Sequence, residues 1–199
     1  MKAILVRHGE TEYNAQGLLQ GYAPVPLSHY GRQQALRVGP RLRSLRPTVL
    51  YSSDIQRAYD TAACISQELG LPIQACPGLR EWHIGTWVNR MASDFYAHLE
   101  ALGAHPATYV PEGGESHIQA QARVVAQMQD WATRHAHDTV LGVSHGMAID
   151  LFVRYILGLD VRQTPPYRIV NTSVNIFQYQ HGRWEIITLN DIGHLETFD

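Results

Sequence analysis

Two short stretches of this 199-residue chain end an apolar run on an imidazole and a glycine, the first with a cation before them. Leu5-Val6 leads into Arg7-His8-Gly9, and Gly142-Val143 leads into Ser144-His145-Gly146. An imidazole is nucleophilic near neutral pH, and an arginine fork matches the oxygens of a phosphoryl group. A third set follows Val49-Leu50-Tyr51: Ser52, Ser53 and Asp54, then Arg57 at the start of a helical pattern. Helix N-termini attract anions through their free N–H groups and the dipole. Two arginines, two histidines and a helix end would make a small cationic pocket, suited to phosphate. Taken singly, each residue has a blander role. Arg57 could pair with Asp54 or Asp60, His145 could be a hydrogen-bonded core histidine, and Asn14 and Gln20 could be turn residues.

Such residues meet only if their elements deliver them to one edge. Ala3–Val6, Thr48–Tyr51, Pro72–Ala75 and Thr139–Val143 read as strands. Residues 174–179 and 183–189 flank His181-Gly182 and read as a hairpin. Residues 13–26 read as a loop, from their Gly, Pro, Asn and Gln content. Ser28 is placed to cap a helix of about 15 residues, which Gly39-Pro40 should kink or break. Ser53 or Asp54 would cap the next helix, whose apolar face is Ile55, Ala58, Ala62, Ile65 and Leu69. Met91, Phe95, Leu99 and Leu102 predict a short helix. Ser116 would cap a long one with Ile118, Ala122, Val125, Met128 and Ala132 inward, and residues 147–157 form an apolar one. Strands alternating with helices predict a three-layer α/β/α sandwich around a mostly parallel sheet, with residues 1–199 forming one domain. Ligands in such sheets sit at the carboxyl ends of the strands.

Composition narrows the partners. Net charge is −2, which gives no reason to expect nucleic acid or an anionic membrane. No segment approaches the length of a membrane span. Cys64 and Cys76 form no metal or redox motif and read as reduced residues of a cytoplasmic protein. No histidine, cysteine and carboxylate cluster has metal-ligand spacing, so neither metal nor cofactor is expected. A homo-oligomer is left open.

The ordered set of motifs resembles the histidine phosphatase superfamily, the phosphoglycerate mutase-like proteins, over nearly the whole chain. The matching blocks are Arg7-His8-Gly9-Glu10-Thr11 with Asn14 and Gln20-Gly21, Leu50–Ala62, Leu79-Arg80-Glu81, Gly114-Glu115-Ser116 and Val143-Ser144-His145-Gly146. The resemblance implies that His8 accepts a phosphoryl group. Arg7, Arg57 and His145 would bind that group. Glu81 would give a proton to the leaving oxygen and later activate water. Asn14, Gln20, Gly21 and Gly146 would contact substrate. The implied enzyme hydrolyses a small phosphate monoester and releases inorganic phosphate. The alternatives are a cofactor-dependent phosphoglycerate mutase and a catalytically weak phosphate-binding module.

Between residues 91 and 122 there is no lysine or arginine. Phe95, Tyr96, His98 and Tyr109 stand there instead, which predicts an uncharged or aromatic leaving group. With no second anion site, hydrolysis is expected over mutase turnover.

Overall fold

The structure is a computed structural model and describes residues 1–196. Six strands form one sheet: β1 Lys2–Arg7, β2 Val49–Ser52, β3 Ile73–Ala75, β4 Thr139–Ser144, β5 Val174–Gln180 and β6 Arg183–Asp191. Their order is β3-β2-β4-β1-β5-β6. β1 to β4 run parallel, β5 is antiparallel to β1, and β6 is antiparallel to β5. The helices are α1 Glu12–Gln16, α2 His29–Arg43, α3 Gln56–Leu69, α4 Ala92–Ala101, α5 His117–Arg134 and α6 Gly146–Leu157.

Both faces of the central strands are buried, as a parallel sheet covered on both sides requires. Ile4, Val6, Leu141 and Val143 pack against Val38 and Leu42 of α2 and Ala58, Ala62 and Ile65 of α3. Leu5 and Val140 pack on the other side against Met128 and Trp131 of α5 and Ile149 and Phe152 of α6. This is the expected three-layer α/β/α sandwich. The β5–β6 turn places His181 at φ 51° and Gly182 at φ 78°, the two left-handed positions of a tight hairpin. Among the described residues, no helix is long and apolar enough to cross a membrane.

Several local expectations are corrected. The stretch after Thr11 is not all loop. Thr11 and Asn14 cap each other's backbone and start the short helix α1. Helix α2 begins after Ser28 as predicted but runs on through Pro40 without a break. Pro40 lies on the exposed side only three residues from the helix end. It removes a bond from the Leu36 carbonyl, and Leu36 is itself exposed to water, so the cost is small. Helix α3 is capped by neither Ser53 nor Asp54: its N-cap is Ile55, with no side-chain cap. The Ser53 hydroxyl is engaged with His145, and Asp54 is taken by Arg80. Helix α5 is rotated from its predicted face. His117, Ala120, Val124, Met128 and Trp131 are buried, while Ile118 and Ala122 are exposed. The reason is aromatic: His117 meets Trp82 edge-on at 4.4 Å, and Trp131 stacks on Tyr51 at 5.0 Å.

Trp131 is fully buried at the centre of its layer. Replacing it with alanine should cost about 3–5 kcal/mol, read as a lower denaturation midpoint. A loss below about 1 kcal/mol would show that α5 does not anchor this face.

Candidate active site

Register brings the two histidines together. β1 pairs with β4 so that Arg7 lies opposite Ser144. The residues that follow, His8 and His145, therefore leave the sheet side by side. Their ring centroids are 5.2 Å apart, with planes tilted by 58°. The His8 amide donates to the Ser144 carbonyl at 2.9 Å, and the Gly9 amide donates to Thr61 Oγ1 of α3 at 3.0 Å. Asn171 Nδ2 donates to the His8 carbonyl at 2.9 Å.

The hydrogen bonds define the state of His8. Its Nδ1 lies 2.6 Å from the Gly9 carbonyl oxygen. A carbonyl only accepts, so Nδ1 carries the proton of the neutral ring and Nε2 keeps the lone pair. Arg57 Nε–H points at that Nε2 from 3.2 Å. Burial, then Arg57, then Arg7 hold the His8 pKa well below the usual histidine value, against a smaller opposing effect of the Gly9 bond. His145 is likewise held low, first by burial and then by Arg57. Its Nε2 lies 2.8 Å from Ser53 Oγ, while its Nδ1 is buried with no partner.

The arginines are fixed by carbonyls rather than carboxylates. Arg57 is buried and donates to Gly21 at 2.9 Å and to Ala23 at 3.3 Å. Burial pulls its pKa down to about 10. Arg7 donates to the Ile169 carbonyl at 2.6 Å, and its Nε is buried without a partner. Burial also lowers its pKa, opposed by Glu81 and assisted by Arg168. A Cβ on Gly146 would stand 3.3 Å from Arg7 Nε, so this glycine makes room for the guanidinium. Gly21 has φ 47°, and a Cβ there would come within 2.6 Å of Ile84 Cγ1.

Glu81 reaches the first turn of α6. Its oxygens accept from the amides of Trp82 at 2.9 Å, Ala148 at 3.2 Å and Met147 at 3.3 Å. Arg123 braces the strap that carries it. That guanidinium donates to the carbonyls of Gly78, Arg80 and Glu81, and pairs with Glu115.

A cavity of about 700 Å³ opens over these groups. Arg7, His8, Arg57, Glu81, Asn14, Gln20, Gly21 and Gly146 all line it, while His145 lies just behind, fully buried. All nine sequence-predicted site residues are thus gathered at one sheet edge. Asn14 Oδ1 accepts from the Thr11 amide at 3.2 Å and Gln20 Oε1 from the Thr11 hydroxyl at 3.0 Å, which orients both side chains. An unprotonated imidazole nitrogen among buried donors that lack acceptors can attack a phosphorus centre and hold its oxygens. Among the described residues, no group of three or more histidines, cysteines or carboxylates could hold a metal ion.

Sequence reasoning missed the far wall. Of the four side chains expected there, only Tyr96 lines the cavity. Phe95 is fully buried, and His98 Nε2 faces Tyr109 Oη at 3.3 Å. The wall is built instead by residues 161–169, with Arg162 and Arg168, and by Arg154 of α6. The expectation of a cavity without further cations is overturned. Those residues follow Gly158 in a stretch with no periodic pattern, and nothing local ties them to the site. Ser53 was missed as the partner of His145 for a similar reason, since only the fold brings the two together.

With this geometry in place, likeness to known proteins becomes informative. Residues 3–192 match the family model of the histidine phosphatase superfamily, branch 1. The metal-independent phosphoserine phosphatase of Arabidopsis thaliana is 31% identical over 201 residues, covering 98% of this chain and 83% of that protein. A probable phosphoglycerate mutase GpmB of Salmonella typhi is 34% identical over 206 residues, covering 99% and 96%. A mycobacterial glucosyl-3-phosphoglycerate phosphatase solved with VO3 superimposes with a TM-score of 0.83 at 30% identity, covering 95% and 98%. The chain belongs to the histidine phosphatase superfamily. Within it, the chain is a phosphoric monoester hydrolase acting on small phosphorylated metabolites.

Burial of neutral histidines has a consequence for stability. His8 and His145 titrate far below the usual value, and burial brings His117 down to about 3. In the unfolded chain each titrates near 6.5. Below that pH the unfolded chain binds more protons than the folded one, so stability is lost as pH falls. The slope of unfolding free energy should approach about 4 kcal/mol per pH unit between pH 6 and 5. Urea titrations across this range would measure it. A flat profile from pH 7 to 5 would mean that these rings are protonated in the folded state.

Proposed function

We propose that His8 is the nucleophile of a phosphatase that works through a phosphohistidine. The observation that carries this is the Nε2 lone pair of His8, faced by Arg57 and set among donors without acceptors. In the first step Nε2 attacks phosphorus, the N–P bond forms and the P–O bond breaks. Glu81 delivers a proton to the departing oxygen, which leaves as the alcohol. Arg7, Arg57 and His145 meet charge on the transferred phosphoryl oxygens, which is most of what phosphoryl transfer demands. In the second step water attacks phosphorus and Glu81 takes its proton. The N–P bond breaks, inorganic phosphate departs and His8 is restored.

Asn14, Gln20, Gly21 and Gly146 would contact substrate. Charge neutralisation is assigned to arginine and histidine, so activity should need no metal. Cys64 and Cys76 are free and buried, which suits a reducing cytoplasm. We read residues 1–199 as one domain.

Direct evidence would be 31P or mass-spectrometric detection of a phosphoramidate on His8 after quenching in alkali. The phosphatase relatives, rather than a missing second anion site, support hydrolysis: inorganic phosphate release should exceed interconversion of 3- and 2-phosphoglycerate, and chelator should leave it intact. The H8A variant should lose about three or more orders of magnitude in turnover. Wild-type turnover by H8A, or mutase turnover tenfold above phosphate release, would overturn the reading.

The acid role has a separate signature. E81Q should lower kcat/KM for an alkyl phosphate by about a hundredfold more than for p-nitrophenyl phosphate, whose leaving oxygen hardly needs a proton. The ratio kcat/KM reports steps only up to departure of the alcohol. Equal losses for the two substrates would remove Glu81 from that role.

A further inference from the structure

The cavity is far larger than a phosphoryl group and continues to the wall built by residues 161–169. That wall is tied down at both ends by arginines that bind its backbone. Arg154 donates to the carbonyls of Val161, at 3.0 Å, and Gln163. Its own charge is met by Asp150 at 2.8 Å. At the other end, Arg7 holds the Ile169 carbonyl. Between these ties, Arg162 and Arg168 line the cavity, and both are exposed.

These two guanidiniums differ from seven other arginines that form carboxylate ion pairs. Arg41, Arg43, Arg80, Arg123, Arg134, Arg154 and Arg183 each pair with a carboxylate. Among the described residues, Arg162 and Arg168 pair with none. Arg168 is close enough to Arg7 to disfavour its charge. The whole cavity carries the same imbalance. Arg7, Arg57, Arg154, Arg162 and Arg168 line it against only Glu81 and Asp150, an excess of three positive charges. A phosphoryl dianion offsets two of them. The floor is polar as well: His117 lines it with both ring nitrogens buried and unpartnered.

We propose that Arg162 and Arg168 form a second anion subsite, so that favoured substrates are phosphomonoesters whose leaving alcohol carries another anionic group. This rests on the phosphatase reading above and adds the leaving group to it. The second anion is a carboxylate or another phosphoryl group, and both satisfy a guanidinium fork. A monoester without it leaves the outer cations unmatched and should bind more weakly.

The test compares kcat/KM for four probes. 3-Phosphoglycerate carries a carboxylate, and 1,3-propanediol bisphosphate carries a second phosphoryl group. Glycerol 3-phosphate replaces the carboxylate of the first by a hydroxymethyl group, and p-nitrophenyl phosphate has no second anion. The wild-type protein should prefer one or both of the first two over glycerol 3-phosphate by about tenfold or more, mainly through KM. Which of the two wins identifies the anion. The R162Q/R168Q double variant should bring that preference close to one, and R162K/R168K should keep part of it. A wild-type protein with no preference, or a preference unchanged in R162Q/R168Q, overturns the subsite. If p-nitrophenyl phosphate is hydrolysed in either case, the phosphatase reading stands and only the subsite falls. If the wild-type protein hydrolyses none of the four, both fall.

Discussion

Holding two guanidiniums, one buried and one partly buried, beside two buried imidazoles, without a carboxylate salt bridge to either, is the constraint on which the site depends. Removing an ion from water costs several kcal/mol even after the protein relaxes. Here the cost is offset only in part, by carbonyls: Gly21 and Ala23 for Arg57, and Ile169 for Arg7. Carbonyls satisfy donors and fix direction but leave the net charge in place. Burial first, and then the field of these two arginines, keeps His8 neutral, because a third cation in this pocket would be costlier still. One arrangement thus yields both a cationic pocket and an unprotonated imidazole nitrogen.

The fold supplies this arrangement through register. Opposing Arg7 and Ser144 on adjacent parallel strands places His8 and His145 together without either helix layer having to aim them. Helix α3 brings Arg57 within its first turn, and α6 presents its first amides to Glu81. The two core layers lock these elements in place, so the histidines and Arg57 are positioned by strands and a helix start, while Gln20, Gly21, Glu81 and the outer wall lie on loops.

Much of this was legible in the sequence, because it is encoded locally. An apolar run ending in Arg-His-Gly states both the strand and what its end delivers, and Ser144-His145-Gly146 repeats the statement. What stayed hidden depends on contacts between distant segments. The buried face of α5 is set by His117 against Trp82 and Trp131 against Tyr51, and periodicity counted Ile118 instead. The wall at residues 161–169 has no pattern of its own and is held by Arg154 and Arg7 from outside. Ser53 looks like a helix cap in the sequence, yet its hydroxyl lies 2.8 Å from His145.

The central claim is that His8 is neutral, with its proton on Nδ1 and its lone pair on Nε2. Long-range 1H–15N NMR of protein labelled with 15N-histidine reads this state directly. The His8 ring should give the pattern of the Nδ1–H tautomer and keep it from pH 8 down to well below the usual histidine value. An imidazolium pattern at pH 6, or a proton found on Nε2, would contradict the account.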